Sequence, residues 1–251
     1  RHETGSRLAF CPVRANIAGM SDPFFFGYGS LVNRRTHAYP EAHPARVTGW
    51  RRAWRRSTRF DRCLLSAVPA PDDYIDGLIA SVPGADWAAL DEREGAYARH
   101  DASHAVTHAV ARDLDIAIYA VDLATYPVPG DDHPILMSYL DVVIQGFHTE
   151  FGQAGVDHFF ETTEGWHAPV LDDRAAPVYP RHQRLAAEET ALVDDGLARI
   201  GARAIKPLLE ADTDTVIDYA KAYVNELNSL ARGRRANGGV GSSVTHPLSA
   251  I

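Results

Sequence analysis

The feature that most constrains this chain is a short apolar run that stops at a glycine-rich turn. The run is Phe24–Phe26, and the turn that follows it is Gly27–Leu31. Three aromatic residues in a row predict a buried strand, and the glycines on both sides of Tyr28 let the backbone bend sharply. A strand that ends in such a loop exposes consecutive backbone N–H groups, which bind carboxylate or carbonyl oxygens. The segment therefore predicts a site for a small anionic group.

A second segment, Leu90–Tyr97, supplies an ionisable group, Glu94, directly before a glycine that stops a helix. Leu90 lies one helical turn upstream and Tyr97 lies close by, so the surroundings are half apolar. Such surroundings raise the pKa of a carboxyl group and let it transfer protons near neutral pH. Glu92 is the rival, but in a helix it lies about 200° round from Glu94, so the two cannot share one site. The hypothesis is an anion-binding loop that faces a general acid/base.

Length and charge exclude several classes of function. The chain has 251 residues, enough for one large domain, and its formal net charge of −8 argues against a nucleic-acid partner. No apolar stretch approaches the roughly 18–20 residues that span a bilayer, so we predict no membrane segment. The two cysteines, Cys11 and Cys63, suggest neither a disulfide framework nor a zinc site. A reducing cytoplasm is the expected compartment.

The hydrophobic pattern divides the chain into four parts. Residues 1–19 are interpreted as an extension outside the fold, native or not, with Met20 as a plausible natural start. Residues 20–165 are predicted to form the main domain, and 166–232 an arm plus a mostly helical extension packed on it. Residues 233–251 are rich in glycine, serine and asparagine and predict a disordered tail.

The main domain is predicted to be α+β. Its apolar alternation favours strands over 24–28, 46–60, 74–82, 105–111 and 115–122, and its helical periods cover 86–94, 134–151 and 156–163. Because strands and helices do not alternate, we expect a small mixed β-barrel of about five to six strands flanked by helices.

The C-terminal extension starts with a proline-punctuated arm, Leu171–His182, for which the sequence predicts no position. Helical patterns follow over 186–200 and 214–232. The second carries one apolar stripe, interpreted as an intramolecular packing face, with a homodimer seam as the open alternative.

Five arginines lie between Arg51 and Arg59. They could form a phosphate-binding patch, but the surrounding chain is acidic. We therefore interpret them as the solvated face of a long strand.

Other chemistries of a glycine-rich loop do not fit the sequence. A dinucleotide site needs a third glycine, a following helix and a later acidic residue, and a phosphate loop needs Gly-Lys-Ser/Thr. Ser30 lacks the Gly-X-Ser-X-Gly elbow of a nucleophile. His100, His104 and His108 recur every four residues, yet no carboxylate or cysteine completes a zinc ligand set. We therefore predict neither a metal nor a cofactor.

In combination, the two motifs resemble the gamma-glutamylcyclotransferase family, including its ChaC-like and AIG2-like branches. The residues that carry the resemblance are Phe26-Gly27-Tyr28-Gly29-Ser30-Leu31 and Leu90-Asp91-X-Arg93-Glu94-Gly95, with support from Gly49-Trp50-Arg51-Arg52-X-Trp54, Gly77 and Ser138-Tyr139-Leu140. The likeness covers roughly residues 23–165.

The resemblance implies a compact mixed barrel and a reaction without a cofactor, in which the α-amine of a γ-glutamyl substrate attacks its own γ-amide. 5-Oxoproline forms and an amine, amino acid or peptide leaves. By this likeness Glu94 is the catalytic acid/base and Tyr139 touches the substrate. The γ-glutamyl group would be held by Phe25, Phe26, Gly27, Tyr28, Gly29, Ser30 and Leu31.

Two hypotheses stay open at this point. The first is a cyclotransferase that acts in the turnover of glutathione or other γ-glutamyl peptides. The second is a module on the same fold that binds a small carboxylate without catalysis or with different chemistry. The sequence leaves the leaving group, the role of 166–232 and the oligomeric state undetermined.

Overall fold

Two long strands that form one hairpin make up the frame of the fold. The structure is a computed structural model that describes residues 21–207. The extension 1–19, the predicted helix 214–232 and the tail 233–251 lie outside the described residues. The elements are β1 (Phe24–Gly27), β2 (His43–Arg56), β3 (Cys63–Ser81), α1 (Ala88–Arg93), β4 (Ala98–Asp101), β5 (Val106–His108), β6 (Ile116–Ala120), β7 (Ile135–Leu136), α2 (Met137–Thr162), β8 (Thr163–Glu164), β9 (Val170–Leu171), α3 (Ala187–Arg199) and β10 (Ala204–Ile205).

The main sheet has seven strands in the order β4-β6-β1-β3-β2-β5, with β8 added beside β2. Strands β1 and β6 are parallel, as are β2 and β8, and the other pairs are antiparallel. This mixed sheet curls into a half-barrel with helices outside it. The predicted α+β class is confirmed, with a strand or two more than expected.

The aromatic strand β1 lies in the middle of this sheet, between β3 and β6. Successive side chains of a strand point to opposite faces, and here both faces are covered. Phe24 and Phe26 belong to the larger hydrophobic cluster, whereas Phe25 packs in a second cluster with Leu90 and Tyr119. All three phenylalanines are at most 1% exposed. The loop that follows β1 is therefore attached to the most deeply buried strand.

Strand β3 is longer than the predicted strand over 74–82, because it starts at Cys63. The added part contains Pro69 and Pro71, and proline cannot donate a ladder hydrogen bond. However, β1 pairs only with Leu78–Ser81 of β3, so the prolines lie where β3 has a neighbour on one side only. Across from them, Gly49 forms an irregularity in β2 with φ of 80°, a conformation that glycine adopts without strain.

One of the five strand arginines is not on a solvated face. Arg52 is 0% exposed, and its guanidinium lies over the rings of Phe147 and Phe159. It donates to the carbonyl of Asp76 at 3.0 Å and to the hydroxyl of Thr162 at 3.1 Å. Because these oxygens satisfy the guanidinium, the arginine can occupy an inward-facing position that the pattern assigned to solvent.

Several predicted boundaries were wrong. Strand β4 was missed because all four of its residues are exposed and show no apolar alternation. Strand β5 covers only three residues of the predicted 105–111. The two helices predicted over 134–151 and 156–163 form the single element α2, which changes direction at Gly152, where φ is 64° and ψ is −162°.

The chain after α2 joins the same compact unit, which ends at Ile205. Strand β9 pairs in parallel with β7 and β10, forming a small second sheet of three strands. Strand β7 leads directly into α2, so this sheet places the arm (171–182) beside the first turn of that helix. Helix α3 fills the predicted helical range 186–200 and packs against α2.

Candidate active site

The glycine loop (Gly27–Leu31) folds back tightly on itself after β1. A Cβ at Gly27 would lie 2.5 Å from the Cβ of Leu31, and one at Gly77 would lie 2.4 Å from the carbonyl oxygen of Gly27. Ser30–Val32 then form one turn of 3-10 helix. The N–H groups of Gly29 and Leu31 donate no hydrogen bond within residues 21–207, as is usual where a helical turn begins. Two backbone N–H groups of the loop are therefore without a partner among the described residues.

Gly29 makes room for a tyrosine on the neighbouring helix. A Cβ at this position would lie 2.5 Å from the hydroxyl oxygen of Tyr139, which is on the first turn of α2. The N–H of Ser30 faces the same hydroxyl oxygen. The Tyr139 hydroxyl donates no hydrogen bond to another residue in 21–207, so its proton is available to a ligand.

Glu94 lies just after α1, at the position that ends the helix. Its N–H donates to the carbonyl of Leu90 at 2.9 Å, and its backbone leaves the helical conformation, with φ of −96° and ψ of 29°. At the start of this helix the carboxylate of Asp86 accepts a hydrogen bond from the N–H of Ala88. The turn from α1 to β4 thus directs the Glu94 side chain, which is only 16% exposed.

A buried arginine connects Glu94 to the glycine loop. Arg93 lies with its Nε 3.2 Å from Oε1 of Glu94, and its side chain is 8% exposed. Its Nη2 donates to the Ser30 hydroxyl at 3.2 Å, and its Nη1 donates to the carbonyl of Thr36 at 3.0 Å. One guanidinium therefore holds the loop and the carboxylate in a fixed relation.

Burial raises the pKa of Glu94 above its usual value, while the positive charges of Arg93 and Arg181 pull it down. Because burial is the largest effect, the net shift is upward. A carboxyl group in this condition accepts and returns protons closer to neutral pH than an exposed glutamate does.

Four tyrosines surround Glu94. Burial raises the pKa of the phenols of Tyr28, Tyr97, Tyr119 and Tyr139, so all four stay protonated at neutral pH. Tyr28 donates to the carbonyl of Tyr119 at 2.6 Å, and Tyr97 donates to the carbonyl of Leu65 at 2.9 Å. These bonds fix the walls of the site around the carboxylate.

The glycine loop, Glu94 and the tyrosines enclose an inner cavity of about 30 Å³. That volume is room for about two water molecules, so only the polar end of a ligand fits there. The other lining residues are Phe26 and Leu65.

An outer cavity of about 310 Å³ adjoins the inner one. The two share Ser30, Leu65, Glu94, Tyr97 and Tyr139, so they meet at the carboxylate. The outer walls come from the hairpin loop between β2 and β3 (Ser57–Arg62), from residues 92–97, and from Tyr179–Arg181 of the arm. A ligand whose reacting bond lies beside Glu94 can therefore extend into both cavities.

The arm is held in place by a buried carboxylate. Asp173 is 2% exposed and accepts hydrogen bonds from the N–H of Ser138 at 2.7 Å and from its hydroxyl at 2.5 Å. It thereby caps α2 at the turn that carries Tyr139. The same carboxylate accepts from the N–H of Val178 at 2.8 Å, and the ring of Tyr179 then contacts that of Tyr139 edge-on, with centroids 5.0 Å apart. One residue thus positions both the arm and the helix start.

Most of the predicted site residues lie together. Glu94, Tyr139, Phe26 and the whole glycine loop line the inner cavity. Phe25 does not, because its side chain points to the other face of β1 and packs on His37 and Tyr39. Sequence reasoning gave no site role to Arg93, Tyr119, Arg59 or Arg181, and it assigned Arg59 to a solvated strand face. Only Tyr97 had been noted beside Glu94.

Residues 21–207 hold neither a metal-binding cluster nor a membrane-spanning helix. Within that range no three histidine, cysteine, aspartate or glutamate side chains gather closely enough to bind a metal ion. None of the helices described there combines the length and the apolar character needed to cross a bilayer.

Comparison with known proteins gives similarity at the level of solved structures alone. A scan against protein-family models found no match, and a search of curated proteins found none. A structure described as a gamma-glutamyl cyclotransferase is 14% identical, covers 70% of this chain and 99% of its own, and has a TM-score of 0.45.

Two further structures are similar at the same level. YkqA from Bacillus subtilis is 16% identical, with 58% of this chain and 57% of its own covered and a TM-score of 0.43. An uncharacterized protein, loc79017 from Homo sapiens, is 15% identical, with 69% and 98% covered and a TM-score of 0.42. The solved structures similar to this chain thus include a gamma-glutamyl cyclotransferase, the family that its motifs resemble.

Proposed function

We propose that this protein is a γ-glutamyl cyclotransferase that converts a γ-glutamyl peptide or amine into 5-oxoproline and a free amine. The observation that carries the proposal is the pairing of a buried glutamate of raised pKa, Glu94, with a loop of free backbone N–H groups across one small cavity. An intramolecular cyclisation mainly requires that the substrate be held in a folded conformation and that a nearby group accept and return protons. The cavity and Glu94 can supply these two requirements. Turnover of glutathione or of other γ-glutamyl peptides is the metabolic role that fits.

The substrate's glutamyl part would lie at the inner cavity. Its α-carboxylate or the developing oxyanion would accept hydrogen bonds from the N–H groups of Gly29 and Leu31. A single such donor is worth roughly 3 kcal/mol in the transition state. The hydroxyl of Tyr139, whose proton is unused among residues 21–207, supplies a third donor.

Glu94 would carry protons from the attacking nitrogen to the leaving nitrogen. Ionised, it removes a proton from the substrate's α-ammonium group, and the resulting amine nitrogen attacks the γ-carbonyl carbon. The tetrahedral intermediate then expels the γ-amide nitrogen, which takes that proton from Glu94. The second proton that the attacking nitrogen must lose passes to the departing amine by way of the same carboxylate, so the lactam is neutral and the amine leaves as an ammonium ion. The C–N bond that forms closes the five-membered lactam, the C–N bond that breaks frees the amine, and the carboxylate is regenerated.

The test is release of 5-oxoproline by the purified protein. The substrates are γ-glutamyl-alanine, a γ-glutamylamine and glutathione, and the variant is Glu94→Gln. We expect turnover of at least one substrate by the wild type and a loss of at least about a hundredfold in kcat in the variant, because base catalysis of this type contributes 10²–10⁴-fold. Glu161→Gln, an exposed position on α2 outside both cavities, is the matched control.

Absence of product from every substrate would refute the proposal. If 5-oxoproline also raised the melting temperature of both wild type and Glu94→Gln, the result would favour a carboxylate-binding module without catalysis. The same substrate panel with amine detection would separate cyclisation from another reaction on an amide.

A further inference from the structure

The outer cavity carries three arginines that form no ion pair with a carboxylate within residues 21–207. Arg59 and Arg62 come from the hairpin loop, and Arg181 comes from the arm. The ion pairs within residues 21–207 engage other arginines, among them Arg51, Arg93 and Arg174, and none of these three. The concentration of positive charge is local, because the chain as a whole has a net charge of −8.

The arginines are held by neighbours that leave most of their N–H groups open. Arg59 uses one of its N–H groups, on Nη1, to donate a hydrogen bond to the carbonyl of Gly95 at 2.9 Å. The guanidinium of Arg62 lies 4.3 Å from the centre of the Phe60 ring, which orders it without neutralising it. Each guanidinium has five N–H donors, so the pair can still bind a carboxylate.

The hairpin loop that presents Arg59 and Arg62 is itself ordered. The Ser57 hydroxyl, in a side chain that is 2% exposed, accepts hydrogen bonds from the N–H groups of Arg59 and Phe60 at 3.1 and 3.2 Å. The N–H of Ser57 in turn donates to the carbonyl of Arg62 at 3.2 Å. The positive charges therefore stand on a fixed turn.

Arg181 reaches the cavity from the arm. It is close enough to Glu94 for its charge to lower the pKa of that carboxyl. Its position follows from the anchoring of the arm by Asp173 and by Arg174, which forms a two-pronged pair with Asp141 at 2.9 and 2.7 Å. The single exposed acidic residue in the outer wall, Glu92, opposes an anion but is outnumbered.

We propose that the outer cavity selects a leaving group that carries a free carboxylate, and that Arg181 together with Arg59 and Arg62 binds it. This inference rests on the proposed function and deepens it. The preferred substrate is then a γ-glutamyl amino acid or short peptide with an ionised C-terminus, in preference to a γ-glutamyl derivative of a neutral amine. Phe60, which is 52% exposed at the same cavity, offers an apolar surface to the side chain of the leaving residue.

The test compares two substrates that differ only in this charge, γ-glutamyl-alanine and γ-glutamyl-alaninamide. We expect kcat/KM of the wild type to be at least about tenfold higher for the acid, since hydrogen bonds to a charged group are each worth that much. At a pH where Glu94 is fully ionised, Arg181→Ala should lower kcat/KM for the acid by about tenfold or more and leave the value for the amide nearly unchanged. Arg181→Lys should restore part of the preference, because it keeps the charge without the two-pronged geometry.

Matched controls separate this effect from loss of folding. Arg199→Ala removes an exposed arginine of α3 that lines neither cavity and should keep both substrates at wild-type values. Arg59→Ala provides a second route to the same result if Arg181→Ala does not fold.

Equal turnover of acid and amide by the wild type would overturn the inference and leave the proposed function standing. An unchanged preference in both Arg181→Ala and Arg59→Ala would overturn the assignment of the arginines. No 5-oxoproline from either substrate would refute the proposed function and the inference together.

Discussion

The inner and the outer cavity are lined by different kinds of chemical groups. The inner cavity is made of backbone, tyrosines and one carboxylate, and the glycine loop and the nearby turn supply most of it. The outer cavity adds the arginines of the hairpin loop and Tyr179–Arg181 of the arm to walls that it partly shares with the inner one. Under the proposed function, the chemistry takes place at the inner cavity and the leaving group is recognised in the outer one.

The largest effect on activity is expected from filling the inner cavity. Gly29→Ala would place a Cβ 2.5 Å from the Tyr139 hydroxyl oxygen, so the tyrosine must move. A displacement of about 1 Å can cost about a hundredfold in rate, and we expect a loss of that size in kcat. The measurement is steady-state kinetics of 5-oxoproline release.

A second variant shows whether the clash is the cause. In Tyr139→Phe the hydroxyl is absent, and the same Cβ would then lie 3.8 Å from the nearest ring carbon, an ordinary contact. Adding Gly29→Ala to Tyr139→Phe should therefore cost little beyond Tyr139→Phe alone. Strictly additive losses in this double-mutant cycle would contradict the explanation.

The next largest effect concerns the anchor that connects the two regions. Asp173→Ala removes three hydrogen bonds at a buried position and leaves the start of α2 uncapped. We expect a loss of about 1–3 kcal/mol in the free energy of unfolding, measured by chemical denaturation. The neighbouring partly exposed Asp172→Ala should lose much less.

The same variant also has a kinetic signature. Because the arm forms the outer wall, Asp173→Ala should raise KM for γ-glutamyl-alanine more than it lowers kcat. If KM stayed at the wild-type value, the outer cavity would not depend on the arm.

The pH dependence of activity tests how the charge of Arg181 in the outer cavity affects Glu94 in the inner one. Glu94 must be ionised to act as a base, and burial raises its pKa, so kcat/KM should fall on the acid side at a pH above the ordinary glutamate pKa of 4.5. Arg181 pulls that pKa down, so Arg181→Ala should move the acid limb to higher pH. Arg199→Ala should not move it, and a shift in the opposite direction would contradict the assignment.

The smallest expected effect is on stability. A raised pKa means that the folded state favours protonated Glu94. The stabilisation that protonation gives is complete below the pKa that Glu94 has in the unfolded chain, and it is lost as the pH rises through the pKa of Glu94 in the folded protein. Glu94→Gln avoids that loss. We therefore expect the variant to unfold at a higher temperature than the wild type at pH 7, with the difference shrinking below pH 4.5. Thermal denaturation at several pH values measures this.

The sequence predicted the inner region far better than the outer one. Three phenylalanines before a glycine loop and a glutamate after a short helix are local patterns, and local patterns can be interpreted without tertiary contacts. Arg181 carries no such pattern, because its place in the site depends on Asp173 reaching the start of α2 across the chain. Arg52 was misassigned for a related reason: its neighbours in sequence do not show the oxygens that satisfy it.

The anchoring of the arm has one further consequence, for the engineering of specificity. Between Asp173 and Val178, whose N–H returns to the same carboxylate, the chain runs through the exposed residues Ala175–Pro177. Exposed loop tips that carry few contacts tolerate changes in length and composition. Under the proposed function, inserts at this tip should change which γ-glutamyl amines the protein accepts, while the turn that holds Tyr139 keeps its shape.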